Sequence, residues 1–281
     1  MPGTGPQCGG AEGVIAMRRF AVIVALGALL GMFAGVVTAS ASAAAALGTY
    51  TTIDVPGATA TNAISVNDFG VVVGSYTDTQ GVSHGFIDQG GVFTTVDDPQ
   101  AGTASGQGTT VNGLNNRGVL DGTYTDGNGA SHGFIDRRGV FTTVNHAHAG
   151  TAPGQGTTLG FINDRGAVIG TYFNSRSKPV TFAGRPGQFT TITDPAAAPF
   201  STFTSAINDA GVIVGAYIDA QGVSHGFIDR RGAFTTLNDP LAGTASGQGT
   251  VAFALNNRGI IVGIYADSHG TTHGFELNNA R

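Results

Sequence analysis

Beyond residue 50 the apolar residues fall in short runs, rich in Val, Ile, Thr, Phe and Tyr and punctuated by Gly, Asn, Asp and Pro. No apolar period of 3.6 residues continues far enough to build a helix there. The runs come in sets of four. One precedes an Asn-Asp turn (Val111–Leu114) and one follows such a turn (Val212–Tyr217). A third begins at His-Gly-Phe (His225–Asp229), and the fourth is a Phe-Thr-Thr run (Phe234–Leu237). Asn-Asp-x-Gly and Asp-x-x-Gly (Asp78–Gly81, Asp219–Gly222) are turn sequences, in which Asp or Asn caps locally and Gly takes positive φ. The pattern predicts four short strands per unit.

The unit recurs five times. The turn appears at Asn67-Asp68-Phe69-Gly70, Asn115-Asn116-Arg117-Gly118, Asn163-Asp164-Arg165-Gly166, Asn208-Asp209-Ala210-Gly211 and Asn256-Asn257-Arg258-Gly259, with its glycines 48, 48, 45 and 48 residues apart. His-Gly-Phe follows in constant phase at His84, His132, His225 and His273, whereas the third unit has Val180-Thr181-Phe182. Aromatic-Thr-Thr recurs at Tyr50, Phe93, Phe141, Phe189 and Phe234. A four-stranded up-and-down unit repeated five times predicts an all-β, five-bladed β-propeller of four-stranded blades. The last unit lacks its fourth strand, and Tyr50-Thr51-Thr52-Ile53 stands alone at the start. Pairing of that N-terminal strand with the last blade is expected to close the ring and remove exposed edges. An open β-solenoid is the rival architecture, and it would need polar caps at both ends.

The pattern Ile-Asn-Asp-x-Gly-x-Val-Val-Gly-x-Tyr-x-Asp-x-x-Gly-x-x-His-Gly-Phe, nearly complete at Val66–Phe86 and Ile207–Phe227, resembles the HAF-repeat family of extracellular bacterial proteins. The middle letter here is Gly where the family name has Ala. The resemblance covers about residues 48–277 and implies export and a repeat architecture, but no activity. The third unit departs from the pattern at Asn174-Ser175-Arg176-Ser177-Lys178-Pro179-Val180, so a fivefold-equivalent site is not expected there.

The first residues change the picture of where the protein works. Met17-Arg18-Arg19, the apolar run Phe20–Val37 and the small residues Thr38–Ala43 read as a secretory signal peptide over 17–43, cleaved after Ala41 or Ala43. A retained anchor is the alternative, since a run of about 18 apolar residues can just span a bilayer. Residues 1–16 carry no pattern and read as an extension or as sequence before the true start at Met17. Residues 44–281 then form a single propeller domain, expected as a secreted monomer, extracellular or periplasmic. Cys8, the only cysteine, lies upstream, so the mature chain would have no thiol. It would carry 11 basic and 17 acidic side chains, a net charge of −6, unsuited to nucleic acid or anionic membranes.

Composition narrows the chemistry further. Among 281 residues 46 are Gly, Trp is absent, and charged residues make up 11%. Glu276 is the mature chain's only Glu, and nearly all Asp residues sit at repeated turn or strand-end positions, which leaves no non-equivalent carboxylate pair for glycoside hydrolysis. Asp121 is the exception, standing where other units have Val73, Ile169, Val214 and Val262. No Cys nucleophile occurs in this region, and no enzyme, cofactor or metal is expected. His146 and His148 form an isolated i,i+2 pair without a carboxylate partner. His84, His132, His225 and His273 are read as structural, each tied to the Asp six residues earlier, Asp78, Asp126, Asp219 or Asp267.

The Gly-rich connections Ala101–Thr109, Ala149–Thr157 and Ala242–Thr250 are the candidate binding surface. They share a face with the Asp-x-x-Gly hairpins, because strand direction alternates. Thr103, Gln107, Thr109, Thr151, Gln155, Thr157, Thr244, Gln248 and Thr250 offer amides and hydroxyls without charge, as suits a sugar. Tyr76, Tyr124, Tyr217 and Tyr265 could supply the stacking that absent Trp cannot. Two functions therefore stand: an exported interaction scaffold whose partners are envelope or extracellular proteins, and a lectin-like propeller with equivalent glycan sites.

Overall fold

The structure, a computed structural model, describes residues 51–278; the expected leader over 17–43 lies outside them. Unit 1 comprises β1 (Ala60–Val66), β2 (Val72–Thr77), β3 (Ser83–Gln89) and β4 (Val92–Val96). Unit 2 comprises β5 (Gly108–Leu114), β6 (Val119–Thr125), β7 (Ser131–Arg137) and β8 (Val140–Val144). Unit 3 comprises β9 (Gly156–Ile162), β10 (Val168–Phe173), β11 (Pro179–Arg185) and β12 (Gln188–Thr191). Unit 4 comprises β13 (Thr202–Ile207), β14 (Val212–Ile218), β15 (Ser224–Arg230) and β16 (Ala233–Leu237). Unit 5 has three strands, β17 (Gly249–Leu255), β18 (Ile261–Ala266) and β19 (Thr272–Leu277). No helix occurs among the described residues.

Within each unit the strands pair antiparallel in chain order, and each first strand carries one bulge, as between Val111 and Gly113. First strands of successive units touch one another, which puts them innermost and makes the fold propeller-like. The core lies between units rather than within them. Val73 and Val96 of unit 1 pack with Val111, Leu120 and Phe134 of unit 2. Ile135 and Val144 continue the pattern into Leu159 and Phe182 of unit 3, and Val214 and Ile228 into Ala252 and Ile261 of unit 5. Each unit therefore depends on its neighbour for burial, as in other repeat folds. Glycine in the second strand makes room for the Phe ring: a Cβ on Gly122 would lie 2.6 Å from Phe134.

Parallel bridges join Ser83 to Gly108, Ser131 to Gly156 and Ser224 to Gly249. The bridge is missing between units 3 and 4, where the sheet divides. The reason is local. Ser83, Ser131 and Ser224 each donate their N–H to the Gln107, Gln155 or Gln248 carbonyl, whereas the corresponding residue of unit 3 is Pro179, which has no N–H to give.

The expected ring closure is not formed. Among the described residues, which exclude Tyr50, Thr51–Val55 belong to no strand, β19 pairs only with β18, and β1 pairs only with β2. Glu276 lies on the open face. It occupies the position of Ile135 and Ile228, which are 0% and 3% exposed against the next unit. A carboxylate there would have to leave water to complete the joint, a large cost without a partner. In unit 5, Glu276, Ala254 and Val262 stay exposed instead. Glu276→Ile is accordingly expected to close this face, with the β19 amides gaining hydrogen-exchange protection and the melting temperature rising. Unchanged protection in β19 would show that the charge is not what holds the joint open.

Candidate functional site

Two sets of turns lie at opposite ends of the strands. At one end the Asn turns are built for mechanical continuity. Asn115 Oδ1 accepts the N–H groups of Arg117 and Val119, closing its own turn, while its Nδ2 donates to the Asn163 carbonyl of the next unit. Asn163 and Asn208 repeat this towards Asn208 and Asn256. The second turn residue adds a parallel run, from Asp68 N–H to Asn116, Asn116 to Asp164, Asp164 to Asp209 and Asp209 to Asn257.

At the other end stand the His-Gly-Phe histidines. Asp78 Oδ1 accepts from Gln80 and Val82 N–H groups, and Asp78 Oδ2 faces His84 Nε2 at 3.4 Å. His84 stacks on Tyr76 at 5.0 Å, and its Nδ1 meets Asp97 at 2.9 Å. The arrangement recurs as Tyr124–His132–Asp126 with Asn145, and as Tyr217–His225–Asp219 with Asn238. His273 keeps Tyr265 and Asp267. The turn N–H of Val82 and His84 hold the Asp78 carboxyl below its usual range, against a rise from burial. His225 does the same for Asp219, and the Thr271 N–H for Asp267. At Asp126 burial pushes the value up, but the Ala130 N–H and His132 outweigh it. Depressed carboxylate values contribute stability at neutral pH that is lost as pH falls through them, below about 4. His84 differs from the others: burial pulls its value down, yet the flanking Asp97 and Asp78 raise it overall.

Unit 3 shows how the cluster is rebuilt when its own histidine is missing. Val180 stands in that place, and Asn174 replaces the Asp while still accepting the Arg176 and Lys178 N–H groups. His146 of the preceding connection then stacks on Tyr172 at 4.0 Å and 5°. His146 occupies the position that is Asp98, Asp194 or Asp239 elsewhere, and its Nδ1 accepts the His148 N–H as those aspartates accept theirs. Burial, and then His148, keep its pKa low, consistent with a neutral ring. Sequence reading of His146 and His148 as a pair missed this, because the partner ring is Tyr172.

The residues expected to bind ligand divide into three kinds. Thr109, Thr157 and Thr250 are buried, and each Oγ1 accepts an N–H from the preceding connection, of Asp98, His146 and Asp239. Gln107, Gln155 and Gln248 clasp the connection to the next unit's hairpin. Gln107 Oε1 accepts the Ala104 N–H and its Nε2 donates to the Gly127 carbonyl; Gln155 and Gln248 bond likewise to Ala152 and Ser175, and to Ala245 and Ser268. Tyr124, Tyr217 and Tyr265 are buried beneath their histidines, and Tyr76 is half-buried in the same way. Thr103, Thr151 and Thr244 alone are exposed at loop crests.

Between units 4 and 5 the connection bounds a cavity of about 230 Å³, lined by His225, Asn238, Asp239, Pro240, Thr244 and Gly249. It is smaller than the ~300–1,000 Å³ of sites for drug-sized ligands and on the scale of one sugar ring. In the corresponding connections Asp98 and Asp194 use Oδ1 to close the loop, on Gln100 and Ala196 N–H groups, and keep Oδ2 buried without a donor among the described residues. Burial raises the Asp98 pKa. Among the described residues no cluster of three metal-ligating side chains occurs.

The connection between units 3 and 4 differs. Its turn Ala198-Pro199-Phe200-Ser201 is closed by Ser201 N–H to the Ala198 carbonyl, and Ala198 N–H reaches the Ile218 carbonyl as Gly102 N–H reaches that of Thr125, so it is a shortened connection in which Ser201 stands where unit 2 has Gly108. Phe200 is left-handed at φ 61°, as are Ser177, Arg138 and Arg231 in other turns at 54°, 57° and 58°. A non-glycine residue there costs roughly 1–2 kcal/mol. Phe200 is nevertheless 50% exposed.

No family model matches this sequence, and no curated protein sequence is similar to it. Among solved structures the chain is similar to a fucose-recognising fungal lectin of Aleuria aurantia with a six-bladed β-propeller, at 12% identity over 79% of this chain and 74% of that one, TM-score 0.42. It is also similar to AofleA of Arthrobotrys oligospora, at 14% identity over 76% and 70%, TM-score 0.43. TolB of Acinetobacter baumannii matches at 13% identity over 79% of this chain and 55% of that one, TM-score 0.48. At such scores these likenesses carry neither ligand nor function over to this chain, and the propeller-like architecture rests on its own strand order.

Asp121 lies outside the clefts, in the joint between units 2 and 3. It is 0% exposed, and neither carboxyl oxygen has a side-chain or neighbouring backbone partner. Gly113 opposite makes the space, since a Cβ there would collide with Asp121 Oδ1. Burial pushes the Asp121 pKa up to about 8, opposed only by its own backbone N–H. A folded value above the unfolded one contributes stability below pH ~4, and that contribution is lost as pH rises towards 8. Asp121→Val, the residue found in three other units, should raise the melting temperature by roughly 5 °C at pH 8, with a smaller gain at pH 4. An equal gain at both pH values would mean that the carboxyl does not change ionisation on folding. For the histidine clusters, His225→Ala is expected to lower the melting temperature by several degrees, and an unchanged melt would remove their structural role.

Proposed function

We propose that the protein is an exported, HAF-like five-bladed propeller that binds carbohydrate in the clefts between successive blades. The supporting observation is the cavity between units 4 and 5, which sets the rim of His225 and the carboxyl and amide of Asp239 and Asn238 beside an exposed Thr244 hydroxyl. Such a surface offers donors and acceptors for hydroxyl groups with little net charge. The same connection is written three times, so weak sites would gain by multivalency. The Gln107, Gln155 and Gln248 amides are engaged in holding the loops, so in this reading they position the site and do not touch the ligand.

Full-length protein on a glycan array, followed by titration calorimetry with methyl glycosides of L-fucose, D-galactose, D-mannose and N-acetylglucosamine, tests this. Binding to a related group of sugars is expected. Replacing Thr103, Thr151 and Thr244 together by Ala should weaken it about tenfold while leaving the melt unchanged, because these side chains hold nothing in the fold. A blank array from folded protein would refute the reading and leave a protein-binding scaffold in its place.

A further inference from the structure

We infer that the Asn-turn end of the strands is a docking surface for an anionic lipid bilayer, held by exposed arginines with apolar side chains between them. It lies at the opposite end from the proposed sugar clefts and does not depend on them.

Because strand direction alternates, the hairpins between third and fourth strands share this end with the Asn turns. The register agrees, with Val119 opposite Arg137 and Val212 opposite Arg230. Cations collect here. Arg117, Arg165 and Arg258 hold the third position of their Asn turns, and all three are exposed. The two-residue hairpins add Arg137-Arg138, Arg185 and Arg230-Arg231. Eight of the ten Arg and Lys side chains among the described residues are therefore at this end. Arg117, Arg138, Arg165 and Arg258 make no ion pair with a described residue.

The acids of this end are turned into the fold. Asp88, Asp136 and Asp229 are buried at the bases of the hairpins, where Asp88 and Asp229 accept the Gly91 and Gly232 N–H groups. Asp68, Asp164 and Asp209 accept from Asn116 and Asn257 Nδ2 in the ladder between units. Glu276, at the open edge, is exposed and outside that ladder. At the other end Asp78, Asp97, Asp126, Asp219 and Asp267 gather, with only Arg176 and Lys178 as cations among the described residues. The formal net charge of −5, which argues against anionic membranes, thus hides a separation of sign along the strands.

Apolar exposure separates lipid from other polyanions. Phe69, in the Asn turn of unit 1, is 75% exposed, and Val92 and Val140, directly after their hairpins, are 69% and 67% exposed. Val140 is two residues from Arg138. The phosphates of a nucleic acid or the charges of an acidic polysaccharide would use the arginines alone. A bilayer interface takes up both the charge and the apolar side chains.

The absence of Trp supplies a reporter. Full-length Val140→Trp and, at the opposite end, Thr244→Trp are titrated with vesicles of phosphatidylcholine alone or with about 30 mol% phosphatidylglycerol. Emission of Val140→Trp is expected to move to shorter wavelength with the anionic vesicles only, and that of Thr244→Trp to stay unchanged. Arg138 and Arg231 are left-handed, at φ 57° and 58°, where unit 1 has Gly90 at φ 66°, so glycine fits both hairpins. Adding Arg138→Gly and Arg231→Gly to Val140→Trp should raise the lipid needed for the shift about twentyfold, without lowering the melt. Arg176→Gln with Lys178→Gln, an equal loss of charge at the other end, should leave it unchanged. If the glycine pair lowers the melt, Arg117→Gln with Arg258→Gln takes its place under the same criterion. Vesicle binding without a shift at Val140→Trp assigns attachment to another part of the chain and overturns the inference. So does an equal shift at both reporters, an equal response to neutral vesicles, or arginine variants that bind like the parent. Binding of heparin with no vesicle response gives the surface to an acidic polysaccharide and overturns it as well.

Discussion

Each of Asn115, Asn163 and Asn208 at the first-to-second-strand turns performs two tasks with one amide. Its Oδ1 closes the turn that joins first and second strands, and its Nδ2 reaches the backbone of the next unit. Because both tasks use the same side chain, the turn cannot form correctly without also fixing the distance and angle to its neighbour. The spacing of 48, 48, 45 and 48 residues is tolerant in the connections and strict here. Unit 4 shows this directly. Its connection is three residues shorter and has lost the parallel bridge, yet Asn163 still reaches Asn208 at 2.9 Å and Asp164 still reaches Asp209 at 2.9 Å. A partly buried hydrogen bond contributes only about 1 kcal/mol net, but the ladder places the apolar clusters between units in register, and those supply the larger stabilisation.

With the inner end fixed, the outer end is free to vary. The Tyr–His–Asp cluster conserves an arrangement rather than a set of residues. Unit 3 loses its own histidine and its hairpin Asp together, and His146 from the previous connection restores a ring on Tyr172. The same imidazole takes over the loop-closing acceptor that Asp provides elsewhere. Filling the space over Tyr172 also changes that cleft, so the three Gly-rich connections are similar in sequence but not equivalent in chemistry. Asp97 beside His84, where other units have Asn145 and Asn238, makes the first cleft more acidic again.

Most of the fold was legible because it is written locally and repeatedly. The Asn-Asp-x-Gly and Asp-x-x-Gly turns, the four strands per unit and the His–Asp pairing all follow from residues within about one unit's length. What was not legible depends on partners elsewhere in the chain. The Tyr50–Ile53 run has a strand pattern, but Thr51–Val55 form no strand, and the last unit carries Glu276 where Ile135 and Ile228 are buried. Gln107 looks like a ligand-binding amide in a Gly-rich loop until Gly127, 20 residues on, is seen to accept from it. Thr109, Thr157 and Thr250 look exposed for the same reason and are not.

A binding face built this way separates stability from recognition. Gln clasps, buried Thr hydroxyls and Asx turns use up the polar groups nearest the strands, so the loops hold their shape without a ligand. What remains for a partner is the outermost layer: the Thr103, Thr151 and Thr244 crests and the cleft walls. Preorganisation of this kind lowers the ordering cost of binding, which matters most for weak ligands such as single sugars.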